Sequence, residues 1–268
     1  MMRVAISGHA VHVPGLSEVD IPGAPAEAAA GPDDAHRVLG RKGLLAKEPA
    51  TRLALCATHE ALRLPPGKLT EPVPGAASTA VVVASNLGNV ATVCQVVDEV
   101  RAEGRHAVSP LVAPNASSNI IGSSIALRYG FTGPNFLVCS GATAGLDAVR
   151  LGALLIRTGR THRSIVVGVE PDDEIATRLC PGLRAAAAAI VLEPLTTDEG
   201  VVLGPLTRSR ATLASTMDLP GGTYGAAGVL GVAIAAALGE DHQVACGDPN
   251  DGYAAMPVTR VRTLVGIS

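Results

Sequence analysis

The residues best placed to do chemistry lie between a short apolar strand and a helix, in the segment Cys139-Ser140-Gly141-Ala142. We predict the strand over residues 136–139 and the helix over about 143–158, where apolar side chains recur on one helical face. Such an elbow aims backbone N–H groups and the positive end of the helix at its tip. That environment lowers the pKa of a cysteine and suits nucleophilic catalysis. The residue at the tip is Ala142, which offers no nucleophile.

The elbow resembles the nucleophile elbow of the β-ketoacyl synthases, the condensing enzymes of fatty acid and polyketide synthesis. The pattern of that family is Gly-Pro-x, a short apolar strand, Thr-Ala-Cys-x-x-Gly and a helix. Here Gly133-Pro134 precedes the strand, Ser140-Gly141 replaces Thr-Ala, and Gly145 follows at the expected spacing. Ala142 stands where the family has its cysteine. The resemblance runs over most of residues 2–193 and returns in pieces over 202–265.

A second family signature, Lys-Ser-x-x-Gly-His-Thr-x-Gly-Ala-Ala-Gly, resembles residues 217–228. Its glycines and Thr223 match, but Met217 occupies the lysine position and Gly222 the histidine position. The family motif His-Gly-Thr-Gly-Thr has no counterpart, and residues 247–250 replace the Gly-Phe-Gly-Gly loop. Decarboxylative condensation needs a thiolate, histidine donors and a lysine. The resemblance therefore implies a homologue with no catalytic residues.

The resemblance also implies the fold. A full-length condensing enzyme has two similar halves arranged as thiolase-like α-β-α-β-α layers, and here the second half is truncated. We expect an N-terminal ketosynthase-like half over residues 1–195 and a truncated C-terminal half over 196–268, packed as one globular unit. Strands alternate with helices along the chain, which is typical of a layered α/β protein.

Chain length factors of type II polyketide synthases are inactive members of this family that pair with an active ketosynthase. The resemblance implies that the elbow strand joins the equivalent strand of the partner; its residues are Phe136, Leu137, Val138 and Cys139. It also implies that the helix expected over 90–102 bounds the acyl tunnel of the partner, with candidate lining residues Val90, Val93, Cys94 and Val97. The implied partners are an active ketosynthase, as a heterodimer, and an acyl carrier protein reached through the complex. Small valines favour a medium or long linear product, of the reduced polyene type.

Other interpretations remain open at this point. The helix over 90–102 fits a plain core helix equally well. An acyltransferase or hydrolase on the same fold would use Cys139 or Ser140 as a displaced nucleophile, although no motif places a histidine beside either residue. A third hypothesis is a homodimeric acyl-binding or scaffold protein.

Composition argues against several classes of function. Hydrophobic residues make up 47% of the chain, but no apolar run reaches the about 20 residues that span a bilayer. A net charge of −3 without a basic stripe, and 2% aromatic residues, argue against nucleic-acid binding. The five cysteines are scattered and no pair has zinc-ligand spacing, so we predict no disulfide framework and no metal. The N-terminal residues lack a signal-peptide pattern, and we expect a cytoplasmic protein without cofactors.

Periodicity and chain breakers predict the remaining elements. We expect strands over residues 2–7, 79–84, 164–169, 185–193, 243–246 and 258–265. We expect helices over residues 33–40, 48–63, 90–102, 115–129 and 226–238. We predict that His9 and His12 are polar loop residues and that His59 lies on the surface of the helix over 48–63.

Overall fold

The computed structural model describes residues 2–69 and 71–262. Within these ranges the strands are β1 (Val4–His12), β2 (Thr79–Ala84), β3 (Asn135–Val138), β4 (Arg163–Glu170), β5 (Ala186–Pro194), β6 (Gly200–Leu203), β7 (Thr207–Ser209), β8 (His242–Asp248) and β9 (Gly252–Val261). The α-helices are α1 (His36–Leu39), α2 (Pro49–Ala61), α3 (Val90–Glu103), α4 (Ile120–Tyr129), α5 (Ala144–Arg157), α6 (Glu174–Leu179) and α7 (Ala227–Leu238).

The strands form one sheet in the order β3-β2-β4-β5-β1-β6-β9-β7, with β8 also paired to β9. Strand β2 runs parallel to β3 and β4, whereas β5 is antiparallel to β4 and β1. All six residues of β2 are buried, as expected for a strand covered on both faces. A single residue pair, Ala5 with Val202, joins β1 to β6. The first five strands therefore form a sheet of their own, to which the last four are attached through one short edge.

Two apolar cores lie on opposite faces of the five-strand sheet. One contains residues of α2 and α4. The other contains residues of α5 and α7 together with residues of β8 and β9. The chain thus builds the layers α2/α4, sheet, α5/α7 and β8/β9, which are four of the five layers of the expected thiolase-like arrangement. Within residues 2–69 and 71–262, no helix covers the outer face of β8 and β9.

Two glycines of the family signatures are explained by the contact between α5 and α7. A Cβ atom on Gly145 would lie 2.6 Å from the backbone nitrogen of Gly228, and one on Gly228 would overlap the backbone of Leu146. Real Cβ atoms do not approach so closely, so the backbones of the two helices touch only because both positions lack a side chain. The same contact sets the position of the first turn of α5, which follows the elbow.

The expected secondary structure is largely confirmed, with corrections at particular places. The predicted strand over 79–84 matches β2, while β1 continues past Gly8 to His12 through a register shift. The helix predicted over 115–129 begins at Ile120, because a 3-10 turn at Ala113–Ala116 precedes it. Sequence analysis missed α6, β6 and β7. The last predicted strand begins at Gly252 instead of 258, and residues 263–265 of that prediction lie outside the described residues.

The predictions for three histidines were wrong. His9 lies within β1 and not in a loop. His59 is buried on α2, and its Nε2 lies 2.8 Å from the carbonyl oxygen of Pro65. His12 is fully buried in β1, with Nδ1 3.0 Å from the Glu60 carboxylate and Nε2 2.9 Å from the carbonyl oxygen of Ala30. Both partners of His12 are acceptors, so both ring nitrogens donate and the ring is an imidazolium. The pair His12–Glu60 therefore ties β1 to α2.

No helix in the described part of the chain combines the length and the apolarity needed to cross a membrane.

Candidate functional site

The elbow is built as the sequence predicts. Strand β3 ends at Val138, a 3-10 turn spans Gly141–Thr143, and α5 begins at Ala144. Gly141 has a φ of +68°, in the left-handed region where glycine carries no steric penalty. A side chain at Gly141 would also overlap the carboxylate of Asp251. Ala142 is buried at the tip of the turn, where its side chain is a methyl group.

The backbone N–H at the tip of the elbow is already hydrogen-bonded within the chain. The N–H of Ala142 donates a hydrogen bond of 2.7 Å to Oδ2 of Asp251, and the hydroxyl of Tyr224 donates to the same oxygen at 3.3 Å. Asp251 lies in the turn between β8 and β9, where Oδ1 of Asp248 accepts from the N–H of Asp251 at 2.8 Å. A carboxylate of the chain itself thus occupies the place where an elbow would stabilise a developing negative charge.

Glu170, the last residue of β4, supports the elbow through its hydrogen bonds to Asn86. Its buried carboxylate accepts bonds from the backbone N–H groups of Asn86 and Leu87, at 2.8 and 3.0 Å, and from the side chains of Ser85 and Asn86. Burial raises the pKa of Glu170 to about 7, and these bonds oppose the rise. The amide of Asn86 in turn holds Gly141, donating to its carbonyl oxygen and accepting from its N–H at 3.1 Å each. These hydrogen bonds fix the position of the turn relative to β2 and β4.

Gly222 and Met217 stand where the family has a histidine and a lysine, and the two positions differ in their surroundings. Gly222 has a φ of +75°, and the carbonyl oxygen of Gly182 fills the space in which a Cβ atom would lie. Its own carbonyl oxygen accepts a bond of 2.8 Å from the N–H of Arg184. Met217 is half-buried against the core formed by α5 and α7. The histidine position is therefore closed by backbone, and the lysine position holds a packing residue.

Ala142 and Gly222 do come together, at the wall of a cavity of about 360 Å³ that Met217 does not line. The cavity walls also carry Cys180 and Cys246. Burial, with nearby carboxylates, raises the pKa of Cys180, and burial raises the pKa of Cys246 to about 12. Since the thiolate is the reactive form, neither thiol is activated at neutral pH.

The two candidate displaced nucleophiles are also bound in ways that do not activate them. The thiol of Cys139 donates to the carbonyl oxygen of Ser85 at 3.0 Å, and its partial burial together with the charge of Glu170 raises its pKa. The hydroxyl of Ser140 donates to Oδ2 of Asp147 at 2.6 Å, and Asp147 pairs with Arg208. In the described residues no histidine is hydrogen-bonded to either side chain, so neither forms the serine–histidine or cysteine–histidine pair that commonly activates a nucleophile.

Strand β3 is the edge of the sheet. It pairs with β2 on one side, and its other side carries no strand in the described ranges. Its central residue Phe136 is 42% exposed, and Leu137 and Val138 are half-buried. An open edge with an exposed aromatic side chain is a template for pairing with another chain.

Helix α3, which follows β2, exposes apolar side chains instead of burying them. None of its fourteen residues is buried, and Val93 and Val97 are 37% and 39% exposed. Val90 and Cys94 are half-buried on the same helix. Its main contacts are with α6 and the 3-10 turn at Ala113–Ala116. The interpretation of α3 as a plain core helix was therefore wrong.

Asp251 is a residue of the candidate site that sequence analysis missed. It is separated from Ala142 by 109 residues and carries no motif of its own. The only local sign was the replacement of the expected glycine-rich loop by residues 247–250.

The fold and the elbow define a ketosynthase-type protein. The family model for the β-ketoacyl synthase N-terminal domain matches residues 9–188, and the chain belongs to that family. No curated protein sequence matches the chain.

Three solved structures have the same fold. The ishigamide ketosynthase/chain length factor is 15% identical, with a TM-score of 0.70 over 97% of this chain and 100% of that chain. A type II PKS acyl carrier protein in complex with its ketosynthase bound to the hexaketide gives 12% identity and a TM-score of 0.69, over 98% and 99%. A ketosynthase in complex with its chain length factor from Xenorhabdus doucetiae gives 16% identity and a TM-score of 0.62, over 98% and 100%.

Proposed function

We propose that this chain is a non-catalytic, chain length factor-like subunit that pairs with an active ketosynthase in type II polyketide biosynthesis. The observation that carries the proposal is the elbow, where a methyl group replaces the nucleophile and Asp251 accepts the N–H of Ala142 at 2.7 Å. An acyl group has no atom to bond to at Ala142. An oxyanion formed beside Ala142 would compete for the N–H of Ala142 with the carboxylate of Asp251, which already accepts a hydrogen bond from it.

The open edge of the sheet supports the choice of partner. Strand β3 exposes Phe136 beside an unpaired row of backbone groups, and a partner strand satisfies both. Two of the solved chains with this fold come from proteins described as ketosynthase and chain length factor pairs. The acyl carrier protein, present in another of those complexes, would reach this chain through the ketosynthase.

The exposed valines of α3 support a steric role in setting product length. We propose that Val90, Val93, Cys94 and Val97 line the end of the acyl tunnel of the partner. Each methylene that fits there contributes about 0.8 kcal/mol when buried. These small side chains leave room for a medium or long linear product, of the reduced polyene type.

Co-expression with a ketosynthase, followed by product analysis, tests both parts of the proposal. The two chains should co-purify, and Val97→Phe should shorten the main product by one or two extension units. Gln95→Phe is the matched control, because Gln95 lies on the opposite side of α3 and is exposed. Failure to co-purify rejects the heterodimer. Equal products from both variants reject the tunnel assignment alone.

The unpaired edge of β3 is also compatible with one other function. In that case the chain is a homodimeric acyl-binding or scaffold protein in which β3 pairs with a second copy. Light scattering on the chain expressed alone separates the two: a stable homodimer that persists when ketosynthase is added favours the scaffold. The acyltransferase or hydrolase hypothesis is disfavoured by the raised pKa of Cys139 and the carboxylate partner of Ser140. A covalent acyl adduct on either residue would restore it.

A further inference from the structure

A second cavity, of about 580 Å³, lies between α5, the segment that links β6 to β7, and the start of β1. Its lining shares no residue with the cavity at Ala142. Most of the lining is apolar, and its largest members are Met2, Leu154, Leu203, Leu206 and Met256. Its volume is within the range of small-molecule sites, which are apolar with a few convergent polar groups.

The polar groups of this cavity are cationic. Arg150 and Arg157 line it, and no aspartate or glutamate does. They are seven residues apart on α5, which is two helical turns or about 10 Å, so both lie on the same helical face with Leu154 between them. A guanidinium is always charged in proteins and binds carboxylate and phosphate oxygens in a planar, bidentate manner.

Neither guanidinium has an acidic partner among residues 2–69 and 71–262, whereas Arg163 pairs with Glu193 and Arg208 with Asp147. The Nε atom of Arg157 is shielded from solvent and has no hydrogen-bond acceptor in the described part of the chain. A buried donor without an acceptor is costly, and such groups are normally satisfied by a partner. Arg157 therefore points to an anionic ligand at its end of the cavity.

We infer that this cavity binds a single-chain amphiphile whose acidic head group, a carboxylate or phosphate monoester, pairs with Arg157 and Arg150 while its alkyl chain covers Leu154 and Met256. The site does not involve the elbow, β3 or α3. It is therefore independent of the proposed pairing with a ketosynthase.

Binding of decanoate, decyl phosphate and decanol to the purified chain, alone or with its co-purified partner, tests the inference by calorimetry. Both anions should bind saturably and at least tenfold more tightly than decanol, and the tighter of the two identifies the source of the head group. Arg157→Gln should weaken anion binding at least tenfold, Arg150→Gln less, and Arg157→Lys only in part. Arg160→Gln is the matched control, an exposed arginine that lies outside the cavity.

Photolabelling with a diazirine derivative of decanoic acid gives a second readout that does not depend on variant stability. The label should map to the peptide that contains Leu203 and Leu206, and excess decanoate should remove it. The inference is overturned if decanol binds as tightly as decanoate, if Arg157→Gln binds like Arg160→Gln, or if the label maps elsewhere on the chain.

Discussion

The elbow at Ala142 and the edge formed by β3 differ in how their polar groups are used. At the elbow, the backbone N–H groups of Ala142, Gly141 and Asn86 are bound within the chain, by Asp251, Asn86 and Glu170 respectively. At the edge, β3 leaves one side unpaired and exposes Phe136. The comparison supports the proposal that the chain does not catalyse condensation itself and that the groups left free at β3 suit a partner.

The largest effect on stability is expected at the contact between α5 and α7. Gly228→Ala should lower the free energy of unfolding by roughly 2–3 kcal/mol, because its methyl group would overlap the backbone of Leu146. Gly221→Ala, in the same glycine-rich segment but with open space around it, should change it by less than about 0.5 kcal/mol. Urea unfolding measures both. Equal values would show that the signature glycines are not kept for packing.

The open edge should respond to a charge at its centre. Phe136→Asp should weaken association with the ketosynthase by about 2 kcal/mol, roughly thirtyfold in Kd, as expected for an aromatic residue central to an interface. The matched control is Val19→Asp, since Val19 is also exposed and lies far along the chain from β3. Surface plasmon resonance measures the Kd of each variant for the ketosynthase. A similar loss for both would remove β3 from the interface.

The occupied elbow predicts how a restored thiol behaves. In Ala142→Cys the carboxylate of Asp251 remains on the backbone N–H, so the thiolate is disfavoured and alkylation by iodoacetamide should be slow at neutral pH. Adding Asp251→Asn removes that charge and should speed alkylation about tenfold, equivalent to one unit of pKa. Peptide mass spectrometry follows residue 142 apart from the five native cysteines. Unchanged rates would mean that Asp251 does not control the elbow.

The last prediction concerns the ion pair between β1 and α2. Burial lowers the pKa of His12, but hydrogen bonding to Cys56 and Glu60 and the charge of Glu60 outweigh it and raise the pKa to about 10. The folded state therefore keeps a proton that the unfolded state loses above its ordinary pKa of 6.5. The stabilisation is complete below that pH and is lost as the pH rises toward 10, at about 1.4 kcal/mol per pH unit.

Urea midpoints at pH 7.5 and 9.5 measure this slope. His12→Gln should flatten it, and exposed His106→Gln should leave it unchanged. A slope that survives in His12→Gln would assign the pH dependence to another group.

The sequence was sufficient for elements whose pattern is local. Strand β2 and the elbow were placed correctly because β-branched runs and glycine turns carry their own signal. Interactions between distant segments were not accessible: nothing near Asp251 indicates that it binds the N–H of Ala142, 109 residues away. His12 and His59 were misplaced because polar residues are normally exposed, and their buried acceptors are supplied by tertiary structure. Helix α6, with six residues capped by Asp173, is too short to show a period.

The central claim is that this chain shapes a condensation that another polypeptide carries out. The most direct test compares elongation of an acyl thioester on a carrier protein by this chain alone, by the ketosynthase alone, and by the two together. The account predicts full-length product only from the pair and none from this chain. Elongation by this chain alone, or full activity of the ketosynthase without it, would contradict the account.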